Sequence, residues 1–173
     1  MDIHFEITQN LIYKNKSGSR SYGINTAISD EDALGVFIAH PVHLMSVNAE
    51  IPNHYKENDT DTNYVSLPKF ARHLYEGSHF WIEPLFVRSE DILIQTKYFQ
   101  SFIENRNMFL TQTLVNKSLG FMGGMIHFAE NASIAQTDIN QAKALLAKRK
   151  AASHAVRVGN MISEMLDTSN LRV

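Results

Sequence analysis

The stretch that most constrains this chain is Ile28 to Ala39, ISDEDALGVFIA. Its first half alternates. In an extended chain successive side chains point to opposite sides, so Asp30 and Asp32 share one face and Glu31 takes the other. Its second half, LGVFIA, is continuously apolar, the pattern of a strand buried on both faces. A single strand thus carries a paired carboxylate at one end and a deep core segment at the other.

The neighbouring segments are read in relation to it. Residues 3–13 carry β-branched and aromatic side chains and predict a strand near Leu11–Lys14. Asn15 to Ser21 is polar, contains Gly18, and reads as a turn. Pro41 should break the strand that follows, and Asn48 to Asp59 reads as a loop. Asp61 to Leu67, DTNYVSL, predicts a second strand that opens on an acidic residue. Pro68 suits the start of a helix, with Phe70 and Leu74 at helical spacing and Gly77 at its close. Residues 89–105 and 107–130 read as mainly helical. Gly120, Gly123 and Gly124 in the second are costly unless they permit close packing. Asp138 to Gln141 has the form of a capping box, and a helix runs on toward Met165. The chain therefore passes from strand-rich to helix-rich at about residues 68–90, an α/β (α+β) pattern. We divide it into a core of residues 1–90 and a helical region of residues 91–173.

Composition limits the chemistry. The 173 residues include no cysteine, which removes disulfides, thiolate metal sites and cysteine nucleophiles. No apolar run approaches the ~20 residues of a membrane span, and the first ten residues lack the form of a signal peptide. A cytoplasmic protein without membrane contact is the expectation. The net charge of −2 is unlike that of a chain built wholly to coat nucleic acid. Basic residues are nevertheless concentrated. Lys143, Lys148, Arg149, Lys150 and Arg157 lie in a stretch with no acidic residue.

Two aspartates at i and i+2 on a strand can bridge divalent cations, because Mg²⁺ takes oxygen ligands and needs few carboxylates. A third carboxylate, Asp61, stands at the start of the next predicted strand. A small turn, Gly18-Ser19-Arg20, precedes the pair and can offer backbone N–H groups, a hydroxyl and a guanidinium to phosphates. Such parts suit phosphoryl or nucleotidyl transfer assisted by two metal ions.

These motifs resemble the DNA polymerase β-like nucleotidyltransferase superfamily. The resemblance is nearest to predicted bacterial and phage nucleotidyltransferases with a GSRxYG…SDxD signature. The matching residues are GSRSYG (Gly18–Gly23), SDED (Ser29–Asp32), GVFI (Gly35–Ile38), and Asp61 with Leu67, Lys69 and Phe70. EGSHFWIEPLF and the helical segment containing His154 and Arg157 resemble later family blocks. The resemblance implies a small mixed sheet flanked by helices, followed by a helical part. It implies Asp30, Asp32 and Asp61 as catalytic metal ligands for two Mg²⁺ ions, or Mn²⁺. It implies a nucleoside triphosphate donor held at Gly18, Ser19 and Arg20. Lys69, Lys150, His154 and Arg157 are further candidate phosphate contacts. The family's arginine just before the Gly-Val pair is Leu34 here.

The leading expectation is a Mg²⁺-dependent nucleotidyltransferase acting on an acceptor that is a tRNA, a protein or a small molecule. The alternative is a nucleotide- or RNA-binding regulatory protein, antitoxin-like, on the same scaffold without turnover.

Overall fold

The structure is a computed structural model that describes residues 7–18, 31–45, 54–57, 60–131 and 138–168. The chain divides into two compact units. One comprises Met1–Tyr75 and Phe80–Arg106, and the other comprises Glu76–His79 and Asn107–Arg172.

The first unit is a five-stranded mixed sheet in the order β3-β4-β2-β1-β5. Its strands are β1 (Leu11–Ser17), β2 (Glu31–Phe37), β3 (His54–Glu57), β4 (Thr60–Ser66) and β5 (Ile92–Gln95). β2 runs parallel to β4, and every other pairing is antiparallel. The expected strand at 28–39 is thus observed at Glu31–Phe37, with residues 28–30 outside the described residues. Ala33, Leu34, Val36 and Phe37 are all buried, as the unbroken apolar run requires.

Each face of the sheet has its own packing. Tyr13 of β1 is fully buried and stacks on Phe99 at 4.0 Å between ring centroids. Phe99 comes from helix α4 (Lys97–Glu104), and Phe70, from helix α2 (Leu67–Tyr75), packs on it at 5.3 Å. The Tyr13 hydroxyl donates to the Pro84 carbonyl oxygen at 2.7 Å, and burial holds its phenol protonated well above the usual range. Residues alternate along β2, so Val36 and Phe37 face opposite ways. Phe37 joins Ile7, Ala39 and Tyr64 in a second cluster, with Leu11 against it. Two further short helices are α1 (Pro41–Met45) and α3 (His79–Ile82).

Three local expectations are corrected. Asn15, Lys16 and Ser17 are strand, not turn, because β1 is paired on both sides, by β2 and by β5. Residues 54–57 form a polar edge strand where a loop was expected. Residues 92–95 form β5 inside a stretch that reads as helical, because pairing of Tyr13 with Gln95 and Lys14 with Ile94 overrides local pattern. Thr96 fixes the strand-to-helix corner by giving both its N–H and its hydroxyl to the Ile12 carbonyl oxygen at 3.0 Å.

The second unit is built on helices α5 (Gln112–Asn131) and α6 (Asp138–Thr168). Ala151, Ala155, Val158, Ile162 and Met165 of α6 are buried at alternating spacings of four and three, the seam of two packed helices. Gly159 leaves room for the Met122 sulfur, 3.2 Å from where a β-carbon would stand. Gly120, Gly123 and Gly124 face open space and so do not serve the close packing that would offset their cost. No helix among the described residues is long and apolar enough to cross a membrane.

Gly35 is the tightest point of the sheet core. A β-carbon there would stand 2.6 Å from two atoms of the buried Tyr64 ring. Gly35→Ala should therefore cost about 1–3 kcal/mol of stability, seen as a lower urea midpoint. An unchanged midpoint would contradict this packing.

Candidate active site

The expected carboxylates are organised by the β2–β4 ladder. Asp32 and Asp61 are direct Cα partners across these parallel strands. On its other side Asp32 is the partner of Ser17, the last residue of β1. The row continues to Lys56 of β3, the partner of Asp61. Four strands therefore bring Ser17, Asp32, Asp61 and Lys56 into one row at one end of the sheet.

Gly18 closes β1 directly above this row. Its φ of +69° is in the left-handed region, and a methyl group there would land on the Asp32 carboxylate oxygen Oδ2. Both facts demand glycine. The backbone of the predicted phosphate-binding turn thus begins in contact with a predicted metal ligand. Asp30, Ser19 and Arg20 lie outside the described residues, as does the side chain of Asp61. Among the described residues no three acidic or imidazole side chains gather to hold a metal. The donor set nonetheless fits a hard cation. Two carboxylate-bearing residues occupy adjacent register positions, the oxygen donors that a hard cation takes.

One step into the sheet, Leu34 is the register partner of Asn15 on one side and Asn63 on the other. Leu34 is buried, so packed hydrocarbon stands here between two asparagine positions. Asn15 is only 2% exposed, and its Nδ2 donates to the Lys16 carbonyl oxygen at 2.6 Å. Its Oδ1 is buried and receives no hydrogen bond, an arrangement that costs about 1–3 kcal/mol. Sequence reading missed Asn15 as a site-adjacent residue because it placed it in a turn. Its signal is the period of two from Asn15 to Ser17, which puts both on one face.

Lys69 is not brought to this row. It is exposed in the first turn of α2, beyond the end of β4 remote from Asp61. The strand path from Asp61 to Ser66 is roughly 16 Å at about 3.3 Å per residue.

Lys150, His154 and Arg157 fall at i, i+4 and i+7 on α6 and so share one helix face. The segment Glu76–His79 belongs to the same unit. Gly77, at φ +70°, fits where a β-carbon would stand 2.7 Å from the Leu114 backbone nitrogen. That close approach seats the segment on α5 and lays the His79 ring against Phe121 at 4.3 Å. Burial holds His79 below the usual histidine value, and Arg157 and His154 add to the effect. His154 is lowered by desolvation, then by Arg157 and Lys150. His79 thus joins the predicted trio, although nothing in local pattern distinguishes it. Only its place in the EGSH segment could have drawn attention to it.

Residues 2–160 match the RNA repair pathway DNA polymerase beta family, RlaP, and the chain belongs to that family. Membership places it in the polymerase β-like nucleotidyltransferase superfamily. No curated protein matches it.

The two lowered histidines make a stability prediction. Unfolded, they titrate near 6.5. Below that value the native state binds fewer protons than the unfolded chain, so stability falls with pH and levels off below the native-state values. His79→Phe keeps an aromatic ring against Phe121 and removes one such group. Its loss of melting temperature between pH 7.5 and pH 5 should be smaller than that of the parent chain. An equal loss would remove His79 from the account.

Proposed function

We propose that this member of the family transfers a nucleotidyl group from a nucleoside triphosphate to a hydroxyl at an RNA end. The observation that carries the reading is the register of Asp32 with Asp61, with Gly18 over the Asp32 carboxylate. Direct cross-strand neighbours present their side chains to a common face, where two carboxylates can share a divalent cation.

In this reading Asp30, Asp32 and Asp61 hold Mg²⁺, with Mn²⁺ able to replace it. The ion would supply charge neutralisation at the reacting phosphate and lower the pKa of the acceptor hydroxyl. The turn from Gly18 through Ser19 to Arg20 holds the outer phosphates through N–H, hydroxyl and guanidinium donors. The acceptor oxygen bonds to the α-phosphorus, the bond to the β-phosphate oxygen breaks, and pyrophosphate leaves. The hydroxyl proton passes to solvent. The protein's share is positioning and preorganised charge, with no covalent enzyme intermediate. RNA as acceptor rests on the family's description as an RNA repair pathway family. Lys150, His154 and Arg157 are assigned to phosphate contact.

One observation favours a second reading, nucleotide or RNA binding without transfer. Leu34 places hydrocarbon between Asn15 and Asn63 at a position where the resembling proteins carry a cation.

The two readings separate in one assay. The chain is incubated with α-phosphate-labelled nucleoside triphosphates, Mg²⁺ or Mn²⁺, and an RNA acceptor. Transfer should appear and fall by at least about 100-fold in Asp32→Asn and Asp61→Asn, and Gly18→Ala should also reduce it. Nucleotide binding without transfer to any acceptor would support the second reading. Transfer that survives Asp32→Asn would overturn the first.

A further inference from the structure

Helix α6 carries two apolar seams, and its packing on α5 uses one of them. The buried seam runs from Ala151 to Met165. A second runs beside it from Leu145 to Leu166, also in alternating steps of four and three, the repeat of a helix that packs along its length on another. The large members of this second seam are Leu145, Val156 and Leu166, and they are 63%, 64% and 69% exposed. Between them stand the small residues Ala152, Gly159 and Ser163, and one charge, Arg149. Single exposed apolar side chains need no explanation, but a contiguous row of them marks a contact surface.

α5 widens that surface. Met122, Ile126 and Ala129 of α5 and Ala152, Val156 and Gly159 of α6 line one open groove of ≈ 490 Å³. Leu119, one turn before Met122, is exposed as well. The basic residues Lys150 and Arg157 stand about 120° and about 100° around the helix from Val156, so the groove is not their face. What it fits is an apolar surface.

The seam fits itself. From either end its order is the same: a leucine, a polar residue (Arg149 or Ser163), a small residue (Ala152 or Gly159), then Val156 at the centre. A face that reads alike in both directions is self-complementary across a two-fold axis, where two copies meet antiparallel. Charge favours the same direction. Lys143 to Arg157 holds five basic residues and no acidic one, while Glu164 and Asp167 lie in the last turns. Parallel pairing would set like charges together, and antiparallel pairing opposes basic to acidic ends. Arg149 and Asp167 are both exposed, and at ~3.6 residues per turn they lie five turns apart on one line of the helix. The antiparallel arrangement therefore brings each Arg149 to Asp167 of the other copy. The area is sufficient. The seam is roughly 33 Å long and roughly 10 Å wide, and with the α5 stripe the footprint is roughly 500 Å² per copy. The total of about 1,000 Å² reaches the lower bound of a specific interface.

We propose that α5 and α6 form a dimer interface, in which the Leu145–Leu166 seam packs antiparallel on the same seam of a second copy, with Met122 and Ile126 of α5 at its flank. The proposal does not depend on the metal-centred reading of Asp32 and Asp61. An interface of this size associates with a dissociation constant in roughly the micromolar range.

The test is sedimentation equilibrium of the full chain from about 1 to about 100 µM, with helix content checked by circular dichroism. The parent should pass from monomer to dimer across this range. Val156→Glu sets two carboxylates together at the two-fold axis and should weaken the dimer by at least about 100-fold. Arg149→Glu and Asp167→Arg should each weaken it by about 10-fold, and the two combined should restore it. That rescue requires the antiparallel arrangement, and it keeps the test decisive if Val156→Glu folds poorly. A parent that stays monomeric throughout would give the groove to another occupant, such as an amphipathic helix of a different protein, and would overturn the proposal. So would a folded Val156→Glu variant that dimerises like the parent, or a combined variant no tighter than either single one.

Discussion

The parallel pairing of β2 with β4 is the constraint on which the sheet unit depends. Parallel neighbours start at the same end of a sheet, so the second residues of both strands, Asp32 and Asp61, arrive side by side. The same pairing runs on to Val36 with Val65 and Phe37 with Ser66, deep in the core. A hydrophobic ladder at one end thus fixes two acidic residues in adjacent register positions at the other. The register cannot slip, because a shift of one residue would turn every core side chain to the wrong face. Antiparallel β1 then ends at Ser17 beside Asp32 and turns at Gly18 over its carboxylate.

The parts legible in the sequence were those where local pattern and tertiary role agree. LGVF is apolar because that strand segment is buried on both sides, and DTNYVS carries the β-branched and aromatic side chains that suit a strand. α6 was legible as an element, from the capping box to Met165, and Met161 and Met165 are buried in it. What could not be read depends on distant partners. Asn15 to Ser17 has turn-like composition and becomes strand because two neighbours pair with it. β5 lies inside a helical pattern and is recruited by β1. β3 is polar because it is the far edge strand of the order, where charged side chains also discourage further pairing. His79 reaches Phe121 of α5 beside a glycine contact that has no local signature.

The candidate site was legible as residue types rather than as an arrangement. Spacing suggested that Asp61 could join the earlier pair, and the ladder gives that suggestion a register for Asp32. Spacing also suggested Lys69, which the direction of β4 takes away from the row. Leu34 looked like a simple loss of charge. In the fold it is a buried side chain between two asparagines, one with an unmet acceptor.

The central claim is that Asp32 and Asp61 together hold a divalent cation. The most direct measurement is anomalous diffraction from crystals grown with Mn²⁺ and a non-hydrolysable nucleoside triphosphate. The account predicts a manganese peak about 2.0–2.3 Å from carboxylate oxygens of both residues, with the triphosphate against the Gly18 turn. Manganese bound elsewhere with that position empty, or an Asp61 carboxylate directed away from Asp32, would contradict it.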